Sequence, residues 1–303
     1  MRVLLVVNTT ASSVTARTRI VIGKALDADH DLRVVETSRR GHATRLARGA
    51  AVDGYDVVVV LAGDGTLNEA ADGLVGTETA LAALPGGSTN VLARTMGIPM
   101  DPVEATGQLL DALDRRAFRK VGVGSVSGRR FLFHAGLGFD AAVISQVERR
   151  GWLKRYLAHP VFVAAAFDTW ARHYDRTTPS MRLELPGETI DGCYFVIISN
   201  TTPYTYLGHR PIEVAPEAAL DRPLTITAFR SLSAYLLLRG AASALTTGRF
   251  VRKSSKLVHR QNVESFSVIG TRPFPYQVDG DHLGDADRLD VTYEADALKL
   301  LVP

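Results

Sequence analysis

The chain has 303 residues, 46% hydrophobic and 22% charged, the balance of a soluble globular protein with length enough for two ordinary domains or one large one. A formal net charge of +3 excludes a polyanion binder working through bulk charge, although local basic patches keep their weight. The single cysteine, Cys193, excludes an internal disulfide framework and a cysteine-rich zinc site; within CYFVIIS it reads as a small buried hydrophobe in a protein of reducing, cytoplasmic setting. The opening MRVLLVVNTTASS is too short an apolar run for a signal peptide, and VFVAAAF falls far below the ~18 residues of a membrane span. The expectation is a protein that does not cross a membrane.

In chain order, apolar runs at Val3–Val7, Leu32–Val35, Val57–Leu61 and Leu81–Leu84 predict buried strands. Between and after them, helices are expected near Ala16–Leu26, His42–Val52, Leu67–Val75, Val91–Met96 and Pro102–Arg115. The last opens on Asp101-Pro102-Val103-Glu104, a cap, a first-turn proline and a capping glutamate. Strands alternating with helices imply a doubly wound, mostly parallel sheet covered on both faces, here assigned to residues 1–124. After about residue 128 the texture changes. RRFLF, MRLEL, CYFVIIS, PLTITAF and ESFSVI read as short strands, with LPGET a turn between two of them. Helical insertions are expected at 140–174 and 232–248. Residues 125–303 thus form a mainly β domain, expected to be a sandwich, whose last strand has room to return to the first domain.

The chemistry concentrates in two loops. In LAGDGTLNEA the strand is expected to end at Ala62 and the helix to begin near Leu67. Gly63 and Gly65 permit close approach of a ligand, and a helix N-terminus offers free N–H groups to phosphate. Thr66-Leu67-Asn68-Glu69 also reads as a capping box, which could do no more than start the helix. Asp64 is left over. A carboxylate there makes sense facing a metal ion, a ribose hydroxyl or another hydrogen-bond donor. There is no Gly-Lys-Ser/Thr of a Walker A loop, and the third glycine of a dinucleotide fingerprint is missing. The carboxylate points towards nucleotide with magnesium, and hence phosphoryl transfer. LPGGSTNVLAR then repeats strand, glycines, hydroxyls and helix, so that Gly87, Ser88, Thr89 and Asn90 would lie beside the first loop.

Together these segments resemble the catalytic domain shared by diacylglycerol kinases, sphingosine kinases and bacterial lipid kinases. The motifs run in order: Asn8 ending the first strand; Thr37 with Gly41-His42-Ala43; Gly63–Glu69; Pro85–Asn90; Gly136–Ala141; and a late Asp279-Gly280-Asp281. NTTPYTYLGHRP at 200–211 is similar to actinobacterial members. The resemblance implies an α/β nucleotide domain, a β-rich lipid-substrate domain and an active site in the cleft between them. It implies ATP and Mg2+, with Asn8, Thr37, Gly63, Asp64, Gly65, Thr66, Asn68, Glu69, Gly87, Ser88 and Asn90 around the nucleotide. It gives Asp279 the role of general base on a lipid hydroxyl, with Asp281 as its neighbour and Gly280 as the tight turn. Without the earlier motifs, the late one would read as an acidic surface hairpin.

The pattern is broken in places. Val91 and Gly122 stand where the family often has aspartates, which touches the outer magnesium network. Asp281 stands where many members have glutamate. Of the family's structural metal loop only Asp221 survives.

Two basic segments, 147–160 with Arg149, Arg150, Lys154 and Arg155 and 248–260 with Arg249, Arg252, Lys253, Lys256 and Arg260, suit anionic lipid headgroups or plain solvated faces. Neither interleaves aromatics as a nucleic-acid platform would. The reading is a cytoplasmic, peripherally membrane-associated lipid kinase making phosphatidate from diacylglycerol. An NAD kinase and a non-catalytic lipid or nucleotide sensor are the rivals, and the oligomeric state stays open, a homodimer included.

Overall fold

The computed structural model describes residues 1–149, 164–244 and 254–303. The chain divides into two units, Met1–Gly122 with Ala295–Pro303, and Val123–Glu294.

In the first unit, β1 (Arg2–Val7), β2 (Asp31–Glu36), β3 (Val57–Ala62) and β4 (Ala80–Pro85) pair in parallel in the order β4-β3-β1-β2. The chain end adds a further parallel neighbour, with Leu300 opposite Leu81. The helices are α1 (Ala16–Asp27), α2 (His42–Val52), α3 (Asp64–Leu74), the short α4 (Val91–Thr95) and α5 (Pro102–Asp114). Every residue of β3 and β4 is buried, as parallel strands covered on both faces require. The reading of the second strand as buried does not hold. β2 pairs only with β1, so it is a sheet edge, and Val34 is 44% exposed. α5 starts as its sequence dictates: the Asp101 carboxylate accepts the N–H groups of Val103 and Glu104, and Pro102 occupies the first turn.

The second unit is mainly β. Its strands begin with the end of β5 (Phe118–Val126), then β6 (Arg129–Phe131) and β7 (His134–Gly138). After helix α6 (Phe139–Arg149) and a π-helical turn at Thr169–His173 come β8 (Met181–Leu185), β9 (Glu188–Cys193), β10 (Phe195–Ser199), β11 (Thr205–Leu207), β12 (Arg210–Ile212) and β13 (Leu224–Phe229). Helix α7 (Ala234–Ala244), β14 (Leu257–Val263), β15 (Ser265–Val278) and β16 (Asp281–Leu301) complete the order. LPGET turns β8 into β9, with Gly187 at φ +77°. The expected sandwich takes the form of one hydrogen-bonded path, β14-β13-β10-β7-β15, in which β15 pairs with β8 near its start and β7 at its end. Residues of β7, β8, β9, β10, β13 and β15 share one core, Cys193 among them, and burial pushes its thiol up to about 12. α6 packs Phe139, Val143 and Val147 against Phe195, Ile197 and Phe229, with Phe195 and Phe229 stacked at 3.8 Å. Residues 164–168 are also helical, and the parts of the two expected helical insertions at 150–163 and 245–248 lie outside the described residues. No helix among the described residues is long and apolar enough to cross a membrane.

Candidate functional site

The first glycine motif is tighter than the sequence suggested. α3 begins at Asp64, three residues before the expected start, with Gly63 as its N-cap. The Thr66–Glu69 capping box does not form. The Thr66 hydroxyl instead accepts from the Asn8 side-chain amide at 3.0 Å, tying the end of β1 to the first turn of α3. The Glu69 carboxylate accepts the Ala43 N–H at 3.3 Å, and the Glu69 carbonyl accepts the Thr44 hydroxyl at 2.8 Å. These bonds account for much of the Gly41-His42-Ala43 motif. Gly41 caps α2 at φ +72°, the His42 ring accepts the Ser38 N–H, and Ala43 brings the start of α2 onto α3. Thr37 donates its N–H to the Val7 carbonyl at 2.9 Å. Asn68 is buried within α3.

The second motif lies against the first, backbone to backbone. A Cβ on Gly87 would stand 2.6 Å from the Gly63 Cα, and one on Gly86 would stand 2.8 Å from the Ala62 Cα. Asn90 holds the turn closed: in the left-handed region at φ 49°, its side chain accepts the Gly87 N–H and donates to the Gly87 carbonyl, both at 2.8 Å. Ser88 at the tip is exposed. Gly86 and Gly87 are therefore required by packing, while a Cβ on Gly63 would meet the Gly87 Cα at a tight 3.3 Å. Gly65 is different: a Cβ there would meet nothing within 4 Å. It sits in a first helical turn, where glycine costs stability relative to alanine, and nothing within the chain requires it.

Asp64, the carboxylate among glycines, turns to the second loop. Its Oδ1 accepts the Val91 N–H at 2.7 Å, and the N–H groups of Leu92 and Asn90 also bond to it. The charge is thus met at the start of α4, the third of the partners the sequence allowed. Burial dominates those bonds and the nearby Arg94, and pushes the carboxyl up to about 6.

Sequence reasoning missed the hydroxyl run that follows Asn8. Ser13 donates its N–H to the Gly86 carbonyl at 2.9 Å, and Thr10 donates to the Asn8 side chain at 2.8 Å. The signal was present as NTTASS at the end of the first strand.

In the second unit, Asp279-Gly280 is the two-residue loop of a hairpin, with Val278 paired to Asp281 and both loop residues left-handed, at φ 47° and 84°. Asp-Gly suits that turn, so the bland reading of this motif as a hairpin describes its backbone. The carboxylate goes further. Its Oδ1 accepts the N–H groups of Phe133 and His134 at 3.0 and 2.9 Å, and its Oδ2 accepts that of Leu132 at 2.9 Å. The same segment is held from its other side by Asn200, whose side chain donates to the Leu132 carbonyl and whose N–H donates to the Phe133 carbonyl. Asp281 lies 3.9 Å from Arg129.

The structural metal loop finds little support. Asp221 is exposed, and no group of three or more His, Cys, Asp or Glu side chains able to hold a metal occurs among the described residues. Of the basic segments, residues 150–160 and 248–253 lie outside the described residues. Arg260 is committed to Glu188 through two hydrogen bonds and does not stand as an open lipid-facing charge.

Residues 2–126 match the family described as Diacylglycerol kinase catalytic domain. That match covers about two fifths of the chain, and over those residues the chain is similar to that family. It is 38% identical over 127 residues to a Pseudomonas aeruginosa protein named "Probable lipid kinase YegS-like", covering 41% of this chain and 40% of that one. It is 32% identical over 120 residues to the "Diacylglycerol kinase" of Bacillus subtilis (strain 168), covering 39% of each. The matched stretch thus spans about two fifths of those curated relatives. A solved structure of a diacylglycerol kinase from Bacillus anthracis str. Sterne shares the fold over the whole chain, at a TM-score of 0.71 and 20% identity, covering 97% of that chain. A second structure from that organism gives 0.77 at 21% identity, covering 100% of this chain and 97% of that one. The family match contains both glycine motifs and Asp64, and it ends within β5.

Proposed function

We propose that the chain is an ATP-dependent lipid kinase that transfers the γ-phosphoryl group to a lipid hydroxyl, with diacylglycerol as the acceptor and phosphatidate as the product. The observation that carries this reading is the pair of apposed glycine turns at the carboxyl ends of adjacent parallel strands, with Gly65 facing open space. Ligands of open α/β sheets bind at that end of the strands, and a helix start without a side chain lets phosphate approach the backbone. Bound Mg·ATP supplies the phosphoryl group. Asp64 is a single carboxylate, so a divalent cation there would draw its other ligands from phosphate oxygens and water, as magnesium commonly does.

The chain's own residues then have distinct tasks. The backbone near Gly65 and the exposed Ser88 hydroxyl receive the phosphates. Asn8 and Asn90 hold their two turns in shape. Asp279 is the base assigned to the lipid hydroxyl.

Radiolabelled ATP offered with dispersed diacylglycerol, and separately with NAD, tests the reading. Label in a chloroform-extractable product supports it. Label in NADP instead would assign the chain to the NAD kinases, and label in neither would leave a nucleotide or lipid sensor. Asp279→Asn should lower turnover by about 10²–10⁴-fold, the usual share of a general base, with ATP affinity little changed.

A further inference from the structure

A cluster of polar side chains lies inside the second unit, behind the Asp279-Gly280 hairpin, and no role assigned above uses it. The Tyr204 hydroxyl donates to Asp140 Oδ1 at 2.7 Å, and the Gln277 amide donates to Asp140 Oδ2 at 2.8 Å. The other end of the Gln277 amide accepts the Gly280 N–H, also at 2.8 Å. Gln277 is fully buried, so its amide is fixed one way round: nitrogen to the carboxylate, oxygen to the turn. The Gly136 backbone runs beneath this bond, and a Cβ there would collide with the Asp140 carboxylate and the Gln277 amide. The Tyr204 and His134 rings lie against each other, tilted at 38° with centroids 4.1 Å apart, and His134 donates its N–H to the Asp279 carboxylate while its carbonyl accepts the Asp279 N–H. Burial depresses His134 to about 3, so this ring is neutral and brings no second charge.

A two-residue Asp-Gly hairpin needs no outside help to form. Here it is tethered twice, at Gly280 through Gln277 and at Asp279 through the 132–134 segment. Asp279 is also a non-glycine residue in the left-handed region, a conformation that persists where its surroundings over-determine it. Asp140 is itself a buried carboxylate, raised by desolvation and satisfied by two donors. Such a group is costly to bury, and what it does here is orient Gln277.

We propose that Asp140 and Gln277 are positioning residues that fix the Asp279-Gly280-Asp281 turn, Asp140 by orienting the Gln277 amide and Gln277 by holding the Gly280 N–H. The link to catalysis rests on the reading of Asp279 as the base of a lipid kinase; the link to the turn does not.

Three variants test it in the full-length chain: Asp140→Asn, Gln277→Glu and the two combined. Asp140→Asn leaves one acceptor oxygen for the two donors, Tyr204 and Gln277, that now share the carboxylate, and Gln277→Glu sets two carboxylates against each other. The double variant reverses the bond: the amide introduced at position 140 donates to the carboxylate introduced at position 277, while Tyr204 and Gly280 keep their partners. Each single variant should speed hydrogen exchange at the Gly280 amide and lower kcat, by up to about 10²-fold for a displacement near 1 Å, with the KM for ATP unchanged. The double variant should recover most of both losses. Single variants that melt earlier yet keep wild-type kcat and Gly280 exchange would overturn the proposal, because the cluster would then stabilise without positioning. A folded double variant that recovers neither quantity would overturn it too. Should the wild type phosphorylate no lipid, the kinase reading falls, and Gly280 exchange alone decides the positioning claim.

Discussion

At the scale of single residues, the two aspartates that the sequence marked out are both held by backbone N–H groups. Asp64 has a folded-state pKa of about 6 against 3.8 for an ordinary aspartate, so the folded protein holds its proton the more tightly. The stability it contributes is present below pH 3.8 and is lost as the pH rises through 6. A shift of about two units corresponds to ~3 kcal/mol. Asp64→Asn keeps an acceptor for the Val91 N–H and removes the titration. Between about pH 4 and pH 7 the variant should gain on the wild type by up to ~3 kcal/mol in calorimetric unfolding, whatever its absolute stability. A constant gap across that range would show that Asp64 does not titrate there. Gly65 makes a complementary case, since nothing in the free protein resists a side chain. Gly65→Ala should stabilise the helix by roughly 0.5–1 kcal/mol while Gly65→Val abolishes ATP binding. Unchanged ATP affinity in both would reduce the motif to a helix start.

At the scale of elements, α3 holds two glycines with opposite requirements, which shows what a sequence pattern conveys and what it conceals. Gly73 sits where α3 crosses α2, and a Cβ there would collide with the Thr44 carbonyl and lie 3.0 Å from the Ala47 Cβ. Gly73→Ala should therefore destabilise by about 1–3 kcal/mol through overpacking, although alanine is the better helix former. A stabilised Gly73→Ala variant, read by chemical denaturation, would refute the close crossing. Nothing local in DGTLNEAADGL separates Gly65 from Gly73; only the Ala43, Ala47 and Ala50 face of α2, brought in by the fold, does so. α2 was legible to the residue and α5 nearly so, because apolar periodicity and caps act locally. The start of α3 was not, because Asn8 and Ala43 took the partners that a capping box would have used. β2 misled for the same kind of reason: a strand's apolar run does not say whether it lies at a sheet edge.

At the scale of the whole molecule, order along the chain was the legible part. The two glycine motifs, the change of texture after residue 128 and the late Asp-Gly turn were visible because each is a local pattern. The partners that give the late turn its rigidity were not. Gln277 and Asp140 are 137 positions apart, and only the fold makes them neighbours. Charge raises a further question at this scale, because +3 is small while the basic side chains are unevenly placed. A kinase whose acceptor lies in a bilayer must reach that surface, and 147–160 concentrates Arg149, Arg150, Lys154 and Arg155 beside Trp152, Leu153 and Tyr156. Near anionic headgroups each such cation contributes about 1 kcal/mol. Four of them therefore correspond to roughly a thousandfold in binding, and the effect is screened within about 10 Å at 0.1 M salt. In the described residues that follow this segment, Phe167 is 69% exposed, a side chain with apolar surface to bury at an interface. Co-sedimentation with phosphatidylglycerol-rich vesicles should decline as salt rises and should fall sharply when the four basic residues are replaced by glutamine. With vesicles of uncharged lipid the variant and the wild type should behave alike. Equal sedimentation of both proteins with the anionic vesicles would return the segment to the solvated surface and leave the route to the lipid to some other face.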